Sequence, residues 1–98
     1  MGIDVIIRNQ VHKQLEVLAG SALESLGDVV SKAPSGSLLW GIHKHADTMF
    51  NAKQLDALIE EIAALTPRND LERELFAMLS DAAEFAIRQR GYLWFSGD

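Results

Sequence analysis

Phe85-Ala86-Ile87-Arg88-Gln89-Arg90-Gly91-Tyr92-Leu93-Trp94-Phe95 is the stretch whose reading decides the fold. Phe85 and Ala86 close a helical apolar stripe that begins at Leu71 and runs through Leu75, Met78, Leu79 and Ala82. Arg88 and Arg90 complement the negative end of a helix dipole, and Gly91 suits the left-handed position just past a helix end. Tyr92 to Phe95 is rich in β-forming residues and reads as a strand. A helix that turns straight back into a strand needs a sheet to receive it.

That sheet is expected from the other end of the chain. Ile3, Val5 and Ile7 alternate with Asp4, Ile6 and Arg8, the period-2 pattern of a strand with one face on the core. An Asn9-Gln10 turn and a second strand over 11–18 are expected to follow, although Val11, Leu15, Leu18, Ala22, Leu26, Val29 and Val30 also fit a helical stripe. A helix is expected from Ser21 as N-cap, with Glu24 in the capping-box position. Ala33-Pro34-Ser35-Gly36-Ser37 is a loop.

The helix over 52–65 carries the clearest signals. Asn51 is an N-cap with Gln54 three residues on, and Phe50 is placed to staple onto Leu55. Leu55, Leu58, Ile59, Ile62 and Leu65 form its stripe, while Glu60 and Glu61 read as solvated surface. Thr66-Pro67 ends it, and the next helix starts from Thr66 or from Asn69, the latter followed by Glu72. The expected fold is therefore one α+β domain over 1–98, a small antiparallel sheet of N- and C-terminal strands packed on an antiparallel helix pair. The C-terminal strand is read as a possible sheet edge open to another chain.

Composition narrows function. The 98 residues are 48% hydrophobic and 23% charged, a globular balance with enough apolar material for one core. No cysteine is present, which excludes disulfides, thiolate metal sites and a cysteine nucleophile. The net charge of −5 and the lack of a basic run argue against nucleic acid and anionic membranes as partners. Met1 to Arg8 has neither the apolar length of a membrane span nor the shape of a signal peptide, so a cytoplasmic protein is expected. No nucleophile elbow, phosphate loop or dinucleotide fingerprint occurs, and no catalytic residue or cofactor is assigned.

Two groups remain as candidate sites. Trp40, Tyr92 and Trp94 are candidate interface residues, since tryptophan and tyrosine concentrate at binding hot spots. Strand alternation puts Tyr92 and Trp94 on the face opposite Leu93 and Phe95. His43, His45 and Asp47 share one face if their segment is extended and would then present three ligands to a divalent metal. Asp47 and Thr48 read more simply as turn residues that bond backbone amides on the way into the helix.

The start Met1-Gly2-Ile3-Asp4-Val5, the segment Asp47-Thr48-Met49-Phe50-Asn51 with Gln54, and the end Tyr92-Leu93-Trp94-Phe95-Ser96-Gly97-Asp98 resemble a group of small uncharacterised bacterial proteins. Members of that group share an MG[IL]DV start, a GDTxFNxxQ-like middle and a YLxFxGD terminus. The resemblance implies one compact domain and brings no reaction with it. Here Ala46 stands where the group has glycine, and His43 and His45 lie in a stretch that differs from the group's. The expected function is a non-catalytic protein-binding module, immunity-like or regulatory, acting on a protein partner or as a homodimer. The alternative is a small divalent-metal-binding protein or enzyme that uses residues 43–47.

Overall fold

The computed structural model describes residues 3–42 and 46–97. Its elements are β1 (Ile3–Arg8), β2 (Gln14–Val17), a 3-10 turn (Ser21–Ser25) running into α1 (Leu26–Lys32), a second 3-10 turn (Leu39–Gly41), β3 (Asp47–Phe50), α2 (Ala52–Ala63), α3 (Asp70–Arg88) and β4 (Tyr92–Gly97). Every strand pairing is antiparallel, in the order β2-β1-β4-β3. The α+β architecture is as the sequence implies, with the N- and C-terminal strands side by side at the centre of the sheet.

One face of that sheet carries the core. Ile3, Val5 and Ile7 of β1, Leu93 and Phe95 of β4 and Phe50 of β3 are buried together with Leu55, Leu58 and Ile62 of α2 and Leu75, Leu79 and Ala86 of α3. Phe50 meets Phe95 edge to face at 5.7 Å between ring centroids, which locks β3 to β4 beneath the helices. Burying each of the valine, leucine, isoleucine and phenylalanine side chains stabilises the fold by about 1.5–3 kcal/mol relative to exposure.

The helix starts follow their caps. Asn51 accepts a hydrogen bond from the Gln54 amide at 3.0 Å, and the Asn51 amide donates to the Gln54 side chain at 2.9 Å, a complete capping box. Asn69 likewise accepts from the Glu72 amide at 2.9 Å, so α3 begins after Asn69.

Four local expectations are corrected. The second strand is shorter than 11–18, because the Asn9 side chain accepts from the amides of Val11 and Lys13 and folds residues 9–13 into the turn itself, with His12 at φ 65°. Ser21 is the first residue of a 3-10 turn rather than a cap; the preceding position is Gly20, which makes no side-chain cap bond. Asp47 and Thr48, expected as turn residues, belong to a fourth strand that runs to Phe50, because Thr48 and Phe50 align with Phe95 and Leu93. As a result β4 is flanked on both sides and is no edge; the edges are β2 and β3.

The end of α3 also differs. Arg90, at φ 53°, holds the left-handed position, and the amides of Arg90 and Gly91 bond the carbonyls of Ile87 and Ala86. Gly91 serves close packing instead: a Cβ there would lie 2.0 Å from the Arg8 carbonyl oxygen. Lacking a side chain, it lets the end of α3 approach the hairpin and fixes where β4 starts.

Candidate open-face binding surface

Among the described residues the helices lie on one side of the sheet and leave its other face uncovered, and the register decides what that face displays. Ile6 pairs with Val17 on one side and Trp94 on the other, and Trp94 pairs with Met49. All four side chains alternate away from the core, so Val17, Ile6, Trp94 and Met49 form one apolar row across all four strands. Val17 is 45% exposed and Met49 40%, while Ile6 and Trp94 in the middle are half-buried by their neighbours.

Polar rows flank it. On one side Asp4, Ser96 and Asp47 are aligned through β1, β4 and β3, an acidic row with both aspartates exposed. On the other side Arg8 pairs with Tyr92. The Arg8 guanidinium lies 4.2 Å from the centroid of Trp94, its diagonal neighbour, a cation–π contact of about 0.5–1 kcal/mol. His12 from the hairpin turn stacks on Tyr92 at 4.5 Å with the rings within 6° of parallel. Arg8 Nε has no hydrogen-bond partner, and among the described residues no carboxylate pairs with Arg8.

Of the three interface residues named from sequence, Tyr92 and Trp94 lie side by side on this face. Trp40 does not join them. It sits 52% exposed on the second 3-10 turn, which packs on α1 and is tied to α2 through Glu61. Glu61 is no plain solvated residue: its two carboxylate oxygens accept from the amides of Leu38 and Leu39, each at 3.0 Å, and so cap that turn. Of the metal candidates, His43 and His45 lie outside the described residues, and Asp47 is exposed at the start of β3 on the open face. Among the described residues no group of three metal-ligating side chains converges.

The sequence reading missed Ile6, Arg8, His12, Val17 and Met49 as surface-forming residues. Their shared row depends on pairing between strands far apart in sequence.

The ionic network elsewhere is structural. Glu72, 4% exposed on α3, accepts from the Arg68 amide at 3.0 Å and Arg68 Nε at 2.8 Å, and also contacts Arg68 Nη2. Arg68 Nη2 reaches on to Asp28 of α1 at 2.7 Å. The Arg68 side chain, and then its amide, hold the Glu72 carboxyl below its ordinary range; the Arg68 hydrogen bond does the same for Asp28. These groups tie the α2–α3 loop to α1 with their bonds satisfied among themselves.

A groove of about 280 Å³ lies between β2 and α3, lined by Ile7, Glu16, Leu18, Met78, Asp81 and Phe85. Among the described residues no helix is long and apolar enough to cross a membrane.

These features define an α+β domain with one helix-covered and one open sheet face. No family model matches the chain, and no curated protein or solved structure does so either.

Proposed function

We propose that this protein is a non-catalytic protein-binding module whose docking surface is the open face of the sheet. The observation that carries the reading is the register-aligned row Val17, Ile6, Trp94 and Met49. Four apolar side chains across the whole width of a sheet are a contiguous patch of the kind that marks a protein contact, whereas scattered apolar residues need no explanation. The pre-set aromatic contacts support it: Trp94 under Arg8 and Tyr92 under His12 are held in place before binding, which lowers the entropic cost of ordering them in a complex. An aromatic anchor at the middle of a patch with arginine and other charges at its rim is the usual anatomy of an interface. An immunity-like or regulatory role is proposed by analogy with other small acidic domains.

The test uses tagged full-length chain as bait in a lysate that also contains an untagged copy. Wild type is compared with the double substitution Val17→Glu and Met49→Glu, both at exposed positions where the fold has little at stake. A stoichiometric protein recovered by wild type and lost from the variant supports the open face. Recovery by both, or by neither, overturns it.

A further inference from the structure

Resting on the open face as docking surface, we infer that the partner it is built for is a second copy of this chain, packed sheet face to sheet face about a two-fold axis that runs along the row Val17–Ile6–Trp94–Met49. The argument is one of charge and symmetry. The acidic row lies on one side of the apolar row and Arg8 on the other. Asp4 and Arg8 share one strand and one face, four residues apart, so about 14 Å of backbone separates them and they cannot pair within a chain.

A two-fold along the apolar row reverses the strand direction of the second copy while leaving each strand opposite its own counterpart. Trp94 then lies over the second Trp94 and Ile6 over the second Ile6. Asp4 of each copy comes over Arg8 of the other, twice by symmetry. The Arg8 guanidinium, which no carboxylate of the described residues neutralises, receives one in this way. The other face-to-face two-fold, with its axis along the strands, leaves each row over its own counterpart, with Asp4 over Ser96 in the acidic row and Arg8 over Tyr92, so no opposite charges meet. Two sheets packed in aligned fashion cross at about −30° and lie about 10 Å apart, and a central crossing on the apolar row tolerates that angle. Two six-residue and two four-residue strands make a face of roughly 20 Å by 15–20 Å, about 300–400 Å² per copy against about 800 Å² per partner in a standard interface, so self-association is weak and is sought up to millimolar concentration.

The test is sedimentation equilibrium of the full chain from low micromolar to millimolar concentration, with a charge-exchange pair. Asp4→Lys alone sets lysine over Arg8 twice, and Arg8→Glu alone sets glutamate over Asp4 twice. Each should weaken self-association by about tenfold or more. An equimolar mixture of the two variants forms a heterodimer in which both pairs are again opposite in charge, and its affinity should return to within about threefold of wild type. Asp4 is exposed, and circular dichroism of each variant alone shows that it is folded before mixing.

A wild type that stays monomeric to millimolar concentration, or a mixture no tighter than its components, overturns the two-fold dimer. In that event the lysate experiment still judges the docking face by itself: a different protein lost from the Val17→Glu, Met49→Glu variant leaves the face standing with another occupant.

Discussion

Gly91→Ala isolates the contact that sets the spacing between the hairpin and the helix layer. A Cβ at residue 91 would meet Arg8 O at 2.0 Å and the Asn9 Cα at 2.8 Å, against ordinary contacts of 3.4 Å and longer. The Arg8 carbonyl would have to retreat by about 1.4 Å, and the obstructing atoms are backbone with no side-chain rotamer to give way. Arg8 pairs with Tyr92 at the first step of the central β1–β4 ladder, so the shift strains the middle of the sheet. Overpacking of this kind costs about 1–3 kcal/mol, and a backbone obstruction belongs at the upper end. A loss of about 3 kcal/mol in a domain of this size lowers Tm by roughly 12–24 °C.

Two companions separate this account from a general glycine effect. Gly41→Ala meets nothing within 4 Å and should stay within about 0.5 kcal/mol of wild type. Arg90→Gly relieves the left-handed φ of 53° and should be neutral or stabilising by up to about 1 kcal/mol. Urea unfolding followed by circular dichroism gives all three values. A Gly91→Ala protein within about 0.5 kcal/mol of wild type would refute the close-approach reasoning.

Two further outcomes follow from the hydrogen-bonded carboxylates. Glu61→Ala removes the acceptor from the Leu38 and Leu39 amides and should cost about 1.5–3 kcal/mol, with both amides exchanging faster by hydrogen-exchange mass spectrometry or NMR while those of α2 keep their protection; unchanged exchange at residues 38 and 39 would contradict the cap. Glu72 and Asp28 are both held below their ordinary values of 4.5 and 3.8, so their contribution to stability is complete above about pH 4.5 and is lost as pH falls through the lower folded-state values. Glu72→Gln should be less stable than wild type at pH 7 and approach it as the pH falls below 4.5, and a gap that stays constant with pH would show that the Arg68 pairing does not stabilise the fold.

Much of the fold is legible in local sequence because its signals are local. Asn51 with Gln54 and Asn69 with Glu72 act within one helical turn, and each sets a helix start where the sequence places it. The alternation of Ile3, Val5 and Ile7, and of Leu93 and Phe95, likewise shows through because one face of each strand is buried. Asp47 and Thr48 read as turn residues because the four residues to Phe50 hold only two periods of a strand, and Phe50 also serves the entry to α2. What makes it a strand is its pairing with β4, more than 40 residues away in sequence.

The candidate surface is legible to the same partial degree. Tyr92 and Trp94 emerge from the alternation of β4, but their neighbours emerge only from register. Nothing in the spacing of Val17, Ile6 and Met49 shows that pairing places them beside Trp94. Trp40 carries the same hot-spot chemistry as Trp94, yet the Glu61-capped turn directs it elsewhere. Residue type names candidates, and strand pairing selects among them.

The open sheet face is tested most directly through Trp94 itself. The chain has two tryptophans, so Trp40→Phe leaves Trp94 as the only indole, at the centre of the face. Acrylamide quenching of its fluorescence is measured as the protein concentration rises from low micromolar to millimolar, and again with any partner recovered from the lysate added in excess. The account predicts that quenching falls as the face is covered, in parallel with the formation of the complex. Quenching that stays constant while a complex demonstrably forms would place the interface elsewhere and contradict the central claim.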